Sequence, residues 1–346
     1  MRVDTGIPMH DWRAAARAAR AAEEQGFDGV VTAEIAHDPF TPLAFAALET
    51  ERVQLGTGIV VAFPRSPMVV AQIAFDLQRH SKGRLHLGLG AQVKGHNERR
   101  FSVAWSAPAP RMREYVESLR AIWRCWEHGE PLRYEGRHYR FTLMTPEFTP
   151  PPTGLPPIPV SIAAVGPGML RVAGRVCDGV RLHGFATRKY VEEVALPQIE
   201  AGLRRSGRAR AQFEVWGGGF VVTGADEDEL HRQVEAIRYR IAFYGSTRSY
   251  HVVFAVHGWE ELGMKLHQMS KRGEWSKMAA EVPDDVVRSF AAVATYDGLA
   301  AALEERFGGI TDTLMLQIPG EPGRVRELVR DVQRIPARFE GHTGEW

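Results

Sequence analysis

Long apolar runs are missing from this sequence. No stretch approaches the roughly 20 residues that a bilayer-spanning helix requires, and the first residues lack the apolar core of a secretory signal, so neither membrane insertion nor export is expected. An excess of one charge is missing too. The 43 Lys and Arg residues against 42 Asp and Glu leave a formal net charge of +1, so no global field draws nucleic acid or anionic lipid. Cysteine is nearly absent: Cys125 and Cys177 stand far apart in a chain of 346 residues, too large to need a staple. That usage favours a reducing cytoplasm, with both thiols serving as small buried hydrophobes. Also lacking is the His-x-His that a metal-dependent barrel hydrolase would carry after its first strand. His37, His96 and His183 do not make a convincing ligand set either, so no metal is expected.

What is present is a repeated strand–helix cycle. Arg2 to Ile7 reads as a first strand, and Asp11 is placed to cap a helix with Arg13, Arg17, Arg20 and Glu24 on its polar stripe and alanines opposite. Gly26 sits where a left-handed C-terminal cap is needed, and Asp28 to Thr32 follows as a strand. Val53 to Ile59 is the third strand, Ser66-Pro67 caps and opens the next helix, Gly83 closes it, and Arg84 to Gly90 is the fourth. After an interruption the cycle resumes with Pro159 to Ala163, Asp178 to Leu182, Phe213 to Val222 and Asp312 to Leu316. Eight such units predict an α/β fold, a closed (β/α)8 TIM barrel, over an open doubly wound sheet.

Two excursions break the rhythm, one after strand 4 (about 91–158) and one after strand 7 (about 245–296), inside an expected single domain spanning 1–346. The first holds a helix from Arg111 to Glu127, a hairpin turning at Glu135-Gly136, and an extended segment, Thr145 to Pro159, with seven of the chain's 21 prolines. Long ordered excursions in a compact domain usually act as lids or binding loops. Their aromatics, among them Trp105, Tyr139, Phe148, Tyr244, Tyr250 and Trp259, either line an apolar pocket or belong to the core.

In a parallel barrel, catalytic groups collect just after the strands, at one mouth. Those positions hold Glu34, His37 and Asp38 after strand 2; Gly58, Ile59 and Arg65 after strand 3; Gln92, Lys94 and His96 after strand 4; Ala164 to Pro167 after strand 5; and His183 after strand 6. Glu34 and His37 would form an acid/base pair if they face one another; alternatively His37-Asp38-Pro39 only caps the next helix. Gly166-Pro167 opens a helix with free N–H groups, which makes either an anion site or a plain helix start. Lys94, Arg99 and Arg100 form a basic cluster that would contact a cofactor's phosphate or acidic tail, or simply be solvated, the commoner meaning of such a run.

Several of these segments resemble the luciferase-like monooxygenase superfamily, in order along residues 2 to 184. Gly26 to Glu34 resembles its second strand, Leu55 to Ile59 with Arg65-Ser66-Pro67 its third strand and following helix, and Ser81 to Gly90 its fourth strand. Ile162 to Pro167 resembles its phosphate loop and Asp178-Gly179-Val180 its sixth strand, and the whole is nearest to the branch dependent on the deazaflavin coenzyme F420. The resemblance implies a cis peptide at Gly58–Ile59 beneath the ring, a cofactor phosphate at Ala164, Val165, Gly166 and Pro167, ring contacts from Gln92 and His183, and catalytic roles for Glu34 and His37. Many deazaflavin relatives carry an Asp-His pair where this chain has Ala33-Glu34. It further implies hydride transfer between F420 and a small organic substrate in a cytoplasmic homodimer. The alternatives are an FMN-dependent monooxygenase and a barrel that binds without catalysis.

Overall fold

The computed structural model describes residues 1–344 and 346. Eight parallel strands close into a barrel: β1 (Arg2–Gly6), β2 (Gly29–Thr32), β3 (Gln54–Thr57), β4 (Leu85–Gly90), β5 (Val160–Ala164), β6 (Gly179–Leu182), β7 (Glu214–Gly217) and β8 (Thr313–Met315). The hydrogen-bonded order is β3-β2-β1-β8-β7-β6-β5-β4, and β4 returns to β3 through Leu55 opposite Leu85 and Gly56 opposite His86. Helices cover the outside, and the local signals that start and stop them act as expected. Asp11 Oδ1 accepts the N–H of Ala14 at 3.0 Å, and Ala15, Ala19 and Ala22 form the buried face of helix Trp12–Glu24. Ser66 caps helix Pro67–His80, while Gly26 and Gly83 take the positive φ values their turns require.

The N-terminal face of the barrel is tied together by aspartates. Asp28, Asp178 and Asp312 each stand just before a strand (β2, β6, β8) and accept a backbone N–H from the start of the preceding strand. The donors are Val3, Val160 and Val215, at 2.7, 2.7 and 2.8 Å. Before β4 the same place is taken by Arg84, whose guanidinium donates to the carbonyls of Ala47, Thr50, Val53 and Ser81. These motif residues therefore lock the face opposite the mouth, where a barrel stores stability rather than chemistry.

The expected seventh strand, Phe213 to Val222, is a correction. Only Glu214–Gly217 lies in the barrel. Gly217 and Gly218 take φ of +79° and +105°, and the chain turns out of the barrel. Phe220–Gly224 then pairs in parallel with Ala291–Thr295 as a separate two-stranded sheet, against which helix Glu227–Gly245 packs. The second excursion thus leaves at Phe220 rather than Gly245. The first contains helix Pro108–His128 against helix Pro67–His80, and a hairpin pairing Tyr134–Glu135 with Arg140–Phe141. Cys125 and Cys177 are both buried and unpaired. No helix among the described residues is long and apolar enough to cross a membrane.

Candidate cofactor and active site

All eight strands run the same way, so the residues that follow them gather at one mouth. At the tip of β3 the Gly58–Ile59 peptide is cis. Gly58 N–H donates to Thr32 O at 2.6 Å, and Ile59 O accepts from Glu34 N–H at 3.0 Å. The Ile59 side chain fills the space that a Cβ on Gly90 would need, its Cδ1 lying 2.4 Å from that position. Glu34 then braces the segment from the other side. Its carboxylate accepts from Val61 N–H at 2.8 Å and from Arg65 Nη1 at 2.8 and 2.9 Å, and Arg65 Nη2 also reaches Asp38 at 3.5 Å. A carboxylate bound by a guanidinium and a backbone N–H is well suited to hold shape.

Beneath this ledge the barrel interior is charged. Arg181 of β6 is 4% exposed and crosses toward β3 and β4. A Cβ on Gly88 would stand 2.4 Å from Arg181 Nε, and one on Gly56 would stand 3.3 Å from its Nη2. Glycine at those strand positions is what lets the guanidinium through. Arg181 Nε donates to Ser161 Oγ at 2.9 Å, its guanidinium carbon lies 4.7 Å from the Trp216 ring centre, and Nη1 is buried without a partner. Trp216 Nε1 donates to Asp4 Oδ2 at 3.1 Å. Burial is the main force pushing Asp4 up to about 6, with the charges of Arg2 and Arg181 pulling the other way.

After β5, Gly166 is the N-cap of helix Pro167–Val176, at φ −80° and ψ 152°, with proline in the first turn and no side-chain cap. Leu170 N–H bonds back to Gly166 O, which leaves the N–H groups of Gly168 and Met169 as the helix's open donors. A Cβ built on Gly166 meets nothing within 4 Å. The loop is fixed from behind, because the buried Tyr190 hydroxyl donates to Val165 O.

After β6, His183 Nδ1 accepts the N–H of Phe185 at 2.9 Å, so the proton of the neutral ring is assigned to Nε2. Desolvation lowers its pKa to about 4, which keeps it neutral at physiological pH. Its ring sits 4.3 Å from that of Tyr244 and 5.1 Å from that of Tyr250, both brought in by the second excursion. Gln92, after β4, has φ +56°, and its Oε1 accepts from Val93 N–H at 2.9 Å.

The structure joins Glu34 to the Gly58–Ile59 segment but does not join it to His37. His37 is exposed, and among the described residues it makes no ion pair with Glu34. Asp38 does the capping, accepting from Phe40 N–H, Thr41 N–H and the Thr41 hydroxyl. In the basic cluster, Arg100 donates to Ile35 O in the loop after β2 while Lys94 pairs with Glu98, so the first excursion is stitched to the mouth. Sequence reasoning did not single out Arg181, Trp216, Asp4 or Tyr190. The available signal was Arg181 itself, a charge between Val180 and Leu182 in a strand covered on both faces.

Comparison with known proteins adds an independent line. The family model described as luciferase-like monooxygenase matches residues 2–313. The Mycobacterium tuberculosis protein Rv1360 is 48% identical over 91% of this chain and 92% of its own length. The 5,10-methylenetetrahydromethanopterin reductase of Archaeoglobus fulgidus is 28% identical over 83% of each chain. Among solved structures, the coenzyme F420 dependent tetrahydromethanopterin reductase of Methanopyrus kandleri superposes with a TM-score of 0.75 at 22% identity, covering 97% of this chain and 98% of the other.

Proposed function

The chain belongs to the luciferase-like monooxygenase family, and from that premise we propose that it works as a member of the F420-dependent branch, exchanging a hydride between coenzyme F420 and a small organic molecule at the barrel mouth. The observation that carries this reading is the presence, at one end of the barrel, of a ledge without side chain at Gly58 and an open helix N-terminus at Gly166. The donor set suits the group. Gly168 and Met169 N–H, with the helix dipole behind them, would hold the cofactor phosphate, with Ala164, Val165, Gly166 and Pro167 forming its cradle. Gly58 and Ile59 would support the ring, and Gln92 would contact it. F420, when bound, supplies two-electron hydride transfer; the protein supplies orientation and electrostatics.

The remaining roles follow from the same residues. Glu34 is a positioning residue, holding Arg65 and the ledge in register. His183 presents a neutral imidazole with Nε2–H available as a donor, walled by Tyr244 and Tyr250. His37 lies exposed on the β2 loop, where it would serve as the acid/base group. The protein would act as a homodimer in the cytoplasm, a state that sedimentation equilibrium of the purified chain tests. Titration of purified protein with F420 and with FMN in parallel tests the cofactor. Saturable one-to-one binding of F420, tighter than FMN, is expected; tighter FMN binding would turn the reading to a reduced-flavin monooxygenase, and binding of neither would remove catalysis from it.

A further inference from the structure

At the opposite end of the barrel, three side chains from distant parts of the chain converge. His86 comes from β4, Glu214 from the first position of β7, and His342 from the C-terminal tail. One ligand atom from each lies within 4.8 Å of the other two. His86 Nδ1 is 3.3 Å from Glu214 Oε2, and His342 Nε2 is 3.9 Å from the same oxygen. His86 is 5% exposed and Glu214 3%. His86 Nε2 and both ring nitrogens of His342 are buried without a hydrogen-bond partner. The other carboxylate oxygen, Glu214 Oε1, accepts the Thr313 hydroxyl, which fixes the carboxylate's orientation.

We propose that His86, Glu214 and His342 bind a divalent transition-metal ion of the Zn2+ type, which pins the C-terminal tail across the floor of the barrel. Two imidazoles and one carboxylate are a donor set such ions prefer. In a tetrahedral site with bonds near 2.1 Å, neighbouring ligand atoms stand about 3.4 Å apart, so the two measured separations need little closing. An ion would also give a partner to His342 Nε2, which otherwise lies unpaired in the interior, where an unsatisfied polar atom is costly. A cavity of about 210 Å3, lined by His342 with Gln54, Arg120 and Asp178, reaches the cluster at His342 and has room for water beside that ligand.

The tail is built to deliver His342 to this place. Before it, Arg338 and Phe339 N–H donate to Asp312 Oδ1 at 2.9 and 3.0 Å, and Glu340 N–H donates to Ala211 O at 2.8 Å. Beyond it, Trp346 packs near Phe75 and Trp123 and donates to Leu155 O at 2.9 Å. The expectation of no metal rested on His37, His96 and His183, none of which belongs to this set. Its position on the N-terminal face makes it a structural site, separate from the mouth.

The test strips the purified full-length chain with chelator, titrates it with Zn2+ and with Co2+, and reads affinity, melting temperature and the Co2+ visible spectrum. One equivalent bound, a higher melting temperature and tetrahedral Co2+ bands are expected. Losing an outer-shell partner already costs 10- to 100-fold, so His342→Ala should weaken Zn2+ binding by roughly 100-fold or more. His342→Cys, which keeps a ligand, should retain Co2+ and add a thiolate charge-transfer band, a result that unfolding cannot mimic. Failure of the wild-type chain to take up either ion at micromolar concentration overturns the proposal. So does full uptake by His342→Ala, or Co2+ binding by His342→Cys without the new band. Hydride transfer at the mouth is untouched by any of these outcomes.

Discussion

Replacing Gly166 by aspartate should pull stability and cofactor affinity in opposite directions. Gly166 lies in extended backbone open to any residue, and a Cβ there meets nothing within 4 Å, so the substitution itself costs little. As N-cap of helix Pro167–Val176, aspartate would accept from an open N–H and complement the helix dipole, for a gain of about 0.5–1 kcal/mol in the cofactor-free protein. A cofactor phosphate seated on the same N–H groups would then face a carboxylate about 5 Å away. The repulsion is roughly 1 kcal/mol with water-like screening and about 3 kcal/mol at an effective dielectric constant near 20, which corresponds to a loss of roughly 5- to 150-fold in affinity. Gly166→Asn is the control, since it supplies a similar cap without charge and should keep affinity within about threefold. Calorimetric titration with F420 at low salt reads binding, and thermal unfolding of the apo-proteins reads stability. Unchanged affinity in the aspartate variant, with the stability gain present, would refute the phosphate assignment alone.

Three other outcomes follow from the interior. Gly88→Ala would place a Cβ 2.0 Å from Thr57 O and 2.4 Å from Arg181 Nε; a loss of about 3 kcal/mol in urea unfolding is expected, and a loss below about 1 kcal/mol would mean that Arg181 does not cross the barrel. Asp4 holds its proton more tightly folded (about 6) than its ordinary value of 3.8, so its contribution is fully present below pH 3.8 and is lost as pH rises through 6. Asp4→Asn should therefore gain on wild type across that window, by up to about 3 kcal/mol, whereas a difference that does not vary with pH would contradict the buried carboxyl. His183, with its pKa lowered to about 4, should favour folding above pH 6.5 and progressively lose that contribution as pH falls toward 4. Its imidazole resonances should titrate near 4; a midpoint at the ordinary 6.5 would show a solvated ring.

The barrel was legible because its signals are local. Asp11, Gly26, Ser66-Pro67 and Gly83 each act within one turn of the helix that they start or stop, and alternating strands and helices then leave a closed parallel barrel as the natural arrangement. The mouth positions were legible for the same reason, since a residue following a parallel strand must lie there. What escaped notice was set by contacts between remote segments. Glu34 needs Arg65 to become a brace, Arg181 needs Gly56 and Gly88 to make room, and His86 meets His342 only after the tail crosses the floor. The break in the seventh strand lies between these cases. Three consecutive glycines, Gly217 to Gly219, mark it, but the strand pattern on either side reads through them.

The spatial claim underlying the proposed activity is tested most directly by a crystal structure of the protein grown with F420. Density for the deazaflavin ring against Gly58–Ile59, with its phosphate accepting from the N–H groups of Gly168 and Met169, is the predicted result. A ring or phosphate bound elsewhere, with both of those positions left to solvent, would contradict it.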